Sequence, residues 1–216
     1  TNSKITVSTA GGRLMLDDTR IPMSFVATSS LSAATNGQPV QLGGADVTSS
    51  ITAREGSIAG LLNLRDTVLP EFQVVLDDLA FKVAGSLGTV NVGGTNEDLN
   101  LFTDAAGNVP AAFTAGFSGT IRVRAALLTT PTDIRDPQPG AGYTPLGAAD
   151  NAIPLAVLSL FESQSALSQA AGVNNTMEGF SAALIGKVAN QKADYDTQLT
   201  FQKVFRDGLR DRVENE

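Results

Sequence analysis

Residues 175–213 limit the fold more than any other part of this chain. Met177, Phe180, Leu184, Val188, Gln191, Tyr195, Leu199 and Gln202 recur at steps of three and four, and the pattern drifts on to Phe205, Leu209 and Val213. That spacing is one face of an α-helix. Asn175 or Thr176 supplies the N-cap, and Glu178, three residues after Asn175, completes a capping-box arrangement. A helix of about 40 residues spans roughly 60 Å at ~1.5 Å per residue. That is long for a compact domain and suits a coiled coil or an elongated bundle. Gly179, Gly186 and Gly208 each weaken it by up to ~1 kcal/mol relative to alanine, so it requires packing partners. Neither a proline nor a closing glycine follows "FQKVFRDGLRDRVENE", so no stop signal accompanies the pattern.

A second helical stretch begins near residue 57. Ile58, Leu61, Leu62, Val68, Leu69, Phe72, Val75, Leu76, Leu79 and Val83 mark a single face, with Ser57 as N-cap. Pro70 lacks an N–H and kinks or briefly breaks this helix, yet the apolar face stays in phase across it. The helix-packing residues expected from the two stretches are Leu61, Leu62, Leu69, Phe72, Leu76, Leu79, Phe180, Leu184, Val188, Tyr195 and Leu199.

The rest is mixed. Residues 4–16 read as a hairpin, "KITVSTA" and "RLMLD" joined by Gly11-Gly12. Further short strands are expected at 23–28, 39–42 and 47–53. Residues 88–128 are an irregular, then extended insert. In it Ile121, Val123 and Ala125 alternate with Arg122 and Arg124, as in a half-exposed strand with the two arginines on one face. Four prolines make 129–149 a long loop. Residues 150–167 are helical after Pro154, with Leu155, Leu158, Phe161 and Leu167 inward. The fold class is therefore α+β: a β-rich outer part at 1–52, and an elongated, coiled-coil-like bundle of long helices at 53–216 with a β insert near 88–128.

Little here supports chemistry. The chain has no Cys and no His, which removes disulfides, thiolate nucleophiles, the commonest general base and the commonest transition-metal ligand. Lys plus Arg is 15 and Asp plus Glu is 22, a net charge of −7, against the basic stripe of a nucleic-acid binder. No apolar run reaches the ~18–20 residues of a membrane span, and the N-terminus lacks a signal-peptide pattern. Asp77-Asp78 are neighbours on a helix, point about 100° apart and read as a solvated face. "DAAGN" at 104–108 lacks the alternating ligands of a calcium loop and reads as a turn. Gly93-Gly94 carries neither phosphate-binding glycine pattern. Asn174-Asn175-Thr176 fits a glycosylation sequon and equally a helix cap. No catalytic, cofactor-binding or metal-binding residues are assigned, and no cofactor is expected.

Several of these stretches together resemble one family. "GSIAGLLNLRDTVLPEFQVVLDDLA" is similar to a helix of the flagellar hook-associated protein 1 (FlgK) family, the hook–filament junction proteins, through Gly60, Leu61, Leu62, Leu64, Arg65, Asp66, Leu69, Pro70, Leu76, Asp77, Leu79 and Ala80. "ITVSTAGGRLML", "NLFT", "SGTIRVRAALLTTPTDI", "GAADNAIPLAVLSLF" and the stretch from Met177 onward resemble the family in order and spacing. The resemblance implies a non-catalytic, structural protein of the bacterial flagellum, extracellular and delivered by the flagellar export apparatus. It implies as partners copies of itself, the hook protein, the second junction protein and an export chaperone, with no nucleic acid and no membrane. It also implies a fragment lacking both terminal helical segments, expected to be monomeric. Two other readings of the residues stand beside it: another flagellar axial protein, such as the second junction protein or a hook or flagellin relative, and a surface-binding module.

Overall fold

The computed structural model describes residues 7–8, 12, 14–16, 20–28, 37–52, 56–135, 149–163, 165–166 and 174–215. The chain is mixed α+β, with small antiparallel sheets set around helices. Ile5, Gly11, Leu167 and the stretch with Pro137, Pro139 and Pro145 lie outside the described residues.

The first strands are short. β1 (Val7–Ser8) pairs antiparallel with β2 (Leu14–Leu16). β3 (Met23–Phe25), β4 (Val40–Leu42) and β5 (Ala45–Asp46) form a three-stranded antiparallel sheet. The strand expected over 47–53 is instead helix α1 (Thr48–Thr52). Two side chains redirect the backbone there. Asp46 Oδ1 accepts the Thr48 N–H at 2.8 Å, and Thr48 Oγ1 accepts the Val40 N–H at 2.9 Å. Both bonds favour a turn into helix over continued pairing. Val40, Leu42 and Val47 form the small core of this unit, with Ile21 and Ile51 against it. Leu62, from the next helix, completes that core.

α2 (Ser57–Asn63) passes through one π-helical turn (Leu64–Val68) into α3 (Leu69–Ser86). Within that turn the Leu69 N–H reaches back five residues to the Leu64 carbonyl. Pro70 is the second residue of α3 and lies inside a continuous helix, where its missing N–H removes an intrahelical bond and favours the irregular turn before it. The expected break at Pro70 is therefore a π turn placed just before it.

β6 (Thr89–Val92) and β7 (Thr95–Asp98) form a hairpin. Gly93 and Gly94 close it with φ of 59° and 88°, a two-residue turn in which both positions have positive φ. β8 (Phe102–Thr103) pairs with β9 (Arg122–Val123). The extended run expected through Leu128 stops there, and Ala125–Thr129 is helix α4. Leu127 of α4 is buried, so a helical turn places it in the interior. Arg122 is exposed and Arg124, half-buried, precedes α4; the two do not share a strand face.

α5 (Ala152–Glu162) buries Ile153 and packs Ala156, Val157 and Leu160 on Val90, Val92 and Leu99 of the hairpin region. The expected inward face was Leu155, Leu158 and Phe161, and all three are exposed. This helix is apolar on most sides, so its periodicity alone does not choose a face. The hairpin beneath it does. β10 (Ser165–Ala166) and β11 (Asn174–Asn175) pair ahead of α6 (Met177–Glu214), a single helix of 38 residues.

Thr176 caps α6: its Oγ1 accepts the Gly179 N–H at 3.0 Å. Thr176→Ala is expected to lower stability by about 1 kcal/mol, the usual worth of such a cap. Chemical denaturation of the two proteins, followed by circular dichroism, checks it.

Candidate functional site

The helices that carry the resemblance run alongside each other. Phe180 packs against Val75, with Leu79 and Leu184 around them. Further along, the Lys187 ammonium lies 5.7 Å from the centre of the Phe72 ring and 4.0 Å from Glu71. The Tyr195 hydroxyl then donates to Asn63 Oδ1 at 3.2 Å. Numbers rise along α6 while they fall along α3 and α2, so the helices are antiparallel. An open groove of about 890 Å³ follows, lined on one side by Gly56, Ala59 and Asn63 and on the other by Tyr195, Leu199 and Gln202.

The expected packing residues divide into three groups. Leu62 and Phe180 are buried. Phe72, Leu79 and Leu184 are half-buried in or beside the seam. Leu61, Leu69, Leu76, Val188, Tyr195 and Leu199 are exposed, Leu61 most of all at 65%. Leu62 faces the β4–β5 core, and not α6. The helix face expected to be inward therefore lies largely on the surface. α3 is covered on its other sides, where Ala80 and Ala84 meet Phe117.

That covering corrects the reading of Asp77-Asp78. Both side chains are fully buried, at 0% exposure, and neither belongs to a solvated face. Asp77 anchors the 116–118 turn. Oδ2 accepts the Gly116 N–H at 2.6 Å, while Oδ1 accepts the Ser118 N–H at 2.9 Å, the Ser118 hydroxyl at 2.6 Å and Gln73 Nε2 at 2.9 Å. Burial pushes the Asp77 carboxyl up. The bonds from Ser118, Gly116 and Gln73 outweigh burial and hold it below the ordinary carboxylate value. With its oxygens filled by main-chain and side-chain donors, Asp77 is a structural anchor. A helical run with two adjacent acids among apolar residues gives no signal that separates this from an exposed pair.

The remaining motifs have local duties. Asp104 Oδ1 accepts the Ala106 and Asn108 N–H groups, both at 2.8 Å, which makes 104–108 an Asx-type turn. Among the described residues no group of three or more acids clusters as a metal site, and no helix is long and apolar enough to cross a membrane.

The surface feature that stands out is apolar. Along α6, Ile185, Phe201, Val204, Phe205, Leu209 and Val213 are exposed, Phe201 at 70%. With Val188, Tyr195 and Leu199 they run the length of the helix beyond its first two turns. At ~100° per residue Phe201 and Val204 lie on the side opposite Val188, Tyr195 and Leu199, so this apolar strip winds around the helix, and so many exposed large apolar side chains on one helix mark an interaction surface. Its charges balance locally, as in the Lys192–Asp196 pair at 2.5 Å and the Arg210–Glu214 pair at 2.7 Å, both one helical turn apart. Such pairs support the helix by about 0.2–0.5 kcal/mol each and leave the strip free for contact. Comparison with family models, with curated proteins and with solved structures returned no match to this chain.

Proposed function

We propose that this chain is a structural part of the bacterial flagellum, at the junction between hook and filament, and acts without catalysis. The observation that carries the reading is the set of exposed apolar residues on α6, together with exposed Leu61, Leu69 and Leu76. A helix of 38 residues with so little of its apolar side covered has its partners in an assembly. The ordered resemblance to hook-associated protein 1 names the assembly. In it the strip packs against further helices, completing an elongated coiled-coil-like bundle whose neighbours are copies of this chain, the hook protein and the second junction protein. Export through the flagellar apparatus, with a chaperone covering the strip beforehand, places it outside the cell.

Deletion of the parent gene tests this directly. The expected outcome is cells with bare hooks and unpolymerised flagellin shed into the medium, seen by electron microscopy and immunoblot. Normal filaments would sink the reading.

A further inference from the structure

The π turn at Leu64–Val68 is out of keeping with its own sequence. In a continuous α-helix, Ile58 and Leu61 would line up with Leu69, Phe72, Leu76 and Leu79 on one apolar face. The π turn adds one residue and rotates α2 by about 100° relative to α3. That rotation takes Leu61 off the shared face, while Leu62 of α2 stays packed in the core of Val40, Leu42 and Val47. Two registers therefore compete. One aligns the apolar face, and the other brings the β3–β5 unit against Arg65.

Arg65, within the turn, holds the second. Its Nε and Nη2 pair with both carboxylate oxygens of Asp66, at 2.6 and 2.8 Å. Nη1 donates to the Gln38 carbonyl at 2.7 Å. The guanidinium lies 5.8 Å from the centre of the Phe25 ring. Gly37 presses so close that a Cβ there would sit 2.2 Å from Arg65 Nε. The Arg65 side chain is only 13% exposed. Nε and Nη2 thus hold Asp66 within the turn, while Nη1, with the Phe25 and Gly37 contacts, clamps 25 and 37–38 onto it. π turns are rare, and tertiary contacts must over-determine them.

We propose that the π turn and the Arg65 clamp form one conformational device, a register switch between the β3–β5 unit and α3. With the clamp closed, Leu64–Val68 is π and the unit faces the direction seen here. With it open, the turn relaxes to α-helix and α2 carries the unit about 100° around the helix axis. The inference is independent of the flagellar reading.

The absence of cysteine permits a direct test by paired spin labels on Ser50→Cys and Gly85→Cys, both exposed positions. The parent protein is expected to show one narrow distance by double electron–electron resonance. Deleting Thr67 removes the extra residue, so the helix runs as continuous α with the unit still facing as seen here, and this variant supplies the reference distance of the closed register. Arg65→Ala is expected to add a second distance, the one reached by turning α2 about 100° around the helix axis, at about 10% of the population or more, and to add none in the Thr67-deleted protein, whose helix is already α. Should Arg65→Ala lose its helical circular dichroism, Gly37→Ala decides, since it pushes the guanidinium away from the other side. A single unchanged distance in the clamp variants overturns the proposal. So does a broad distribution with no distinct second distance, or a second distance that Arg65→Ala adds equally in the Thr67-deleted protein; either would make Arg65 a plain tether.

Discussion

Asp77→Ala is expected to remove about 3 kcal/mol or more of folding stability. The change deletes a buried carboxylate and strands the Gly116 and Ser118 N–H groups that it satisfied. Hydrogen bonds to a charged partner contribute about 1.5–3 kcal/mol each, and an orphaned buried donor costs about 1–3 kcal/mol. These do not add in full, because the 116–118 turn relaxes toward water. Phe117, between the two anchored residues, is buried against Ala80 and Ala84, so the loss spreads into that core. Equilibrium urea unfolding measures the effect, and a drop under about 1 kcal/mol would show that the anchor is dispensable.

The same residue sets an acid response. The folded-state value lies below the ordinary 3.8 of an aspartate, so the unfolded chain takes up the proton first as pH falls. The contribution of Asp77 is therefore complete well above 3.8 and declines as pH drops through that value toward the folded one. Asp77→Asn removes this slope while keeping the shape of the side chain. The expected result is a parent midpoint that falls between about pH 5 and pH 2 more steeply than that of the asparagine variant.

Phe180→Ala is expected to loosen the first half of α6. Phe180 is 5% exposed and packs on Val75, where α6 and α3 meet in a buried contact. Truncating a buried phenylalanine costs about 3–5 kcal/mol. Beyond Leu184 the helices touch through Lys187 and Tyr195, contacts at the exposed surface that contribute little. The expected signature is local: faster amide exchange over 177–200 with the β6–β7 hairpin unchanged. Equal acceleration in the hairpin would mean that α6 and the hairpin unfold as one unit.

Much of this protein was legible in its residue pattern, because the signals are local. The long helix, its Thr176 cap and the helix across Pro70 each follow from spacing or backbone preference within a few residues. Even the Asp104 turn is written in one short stretch. The strand expected at 47–53 failed for a local reason too, since Asp46 and Thr48 bond backbone groups that a strand would have used.

Which face of each helix turns inward was a different matter. α5 has apolar residues on most sides, and only the position of Val90, Val92 and Leu99 selects Ile153, Val157 and Leu160 over Leu155, Leu158 and Phe161. Periodicity counts apolar residues but carries no information on how many neighbours a helix will have. The Asp77 carboxylate is buried because a turn 39 residues away in sequence brings its N–H groups to it. The π turn is held by Gly37, Gln38 and Phe25, which no window around residue 65 contains. The sequence by itself determined the longest helices and the Thr176 cap, through backbone propensity and short-range hydrogen bonds. Tertiary structure alone decided their rotation, because burial depends on what the rest of the chain lays against each face.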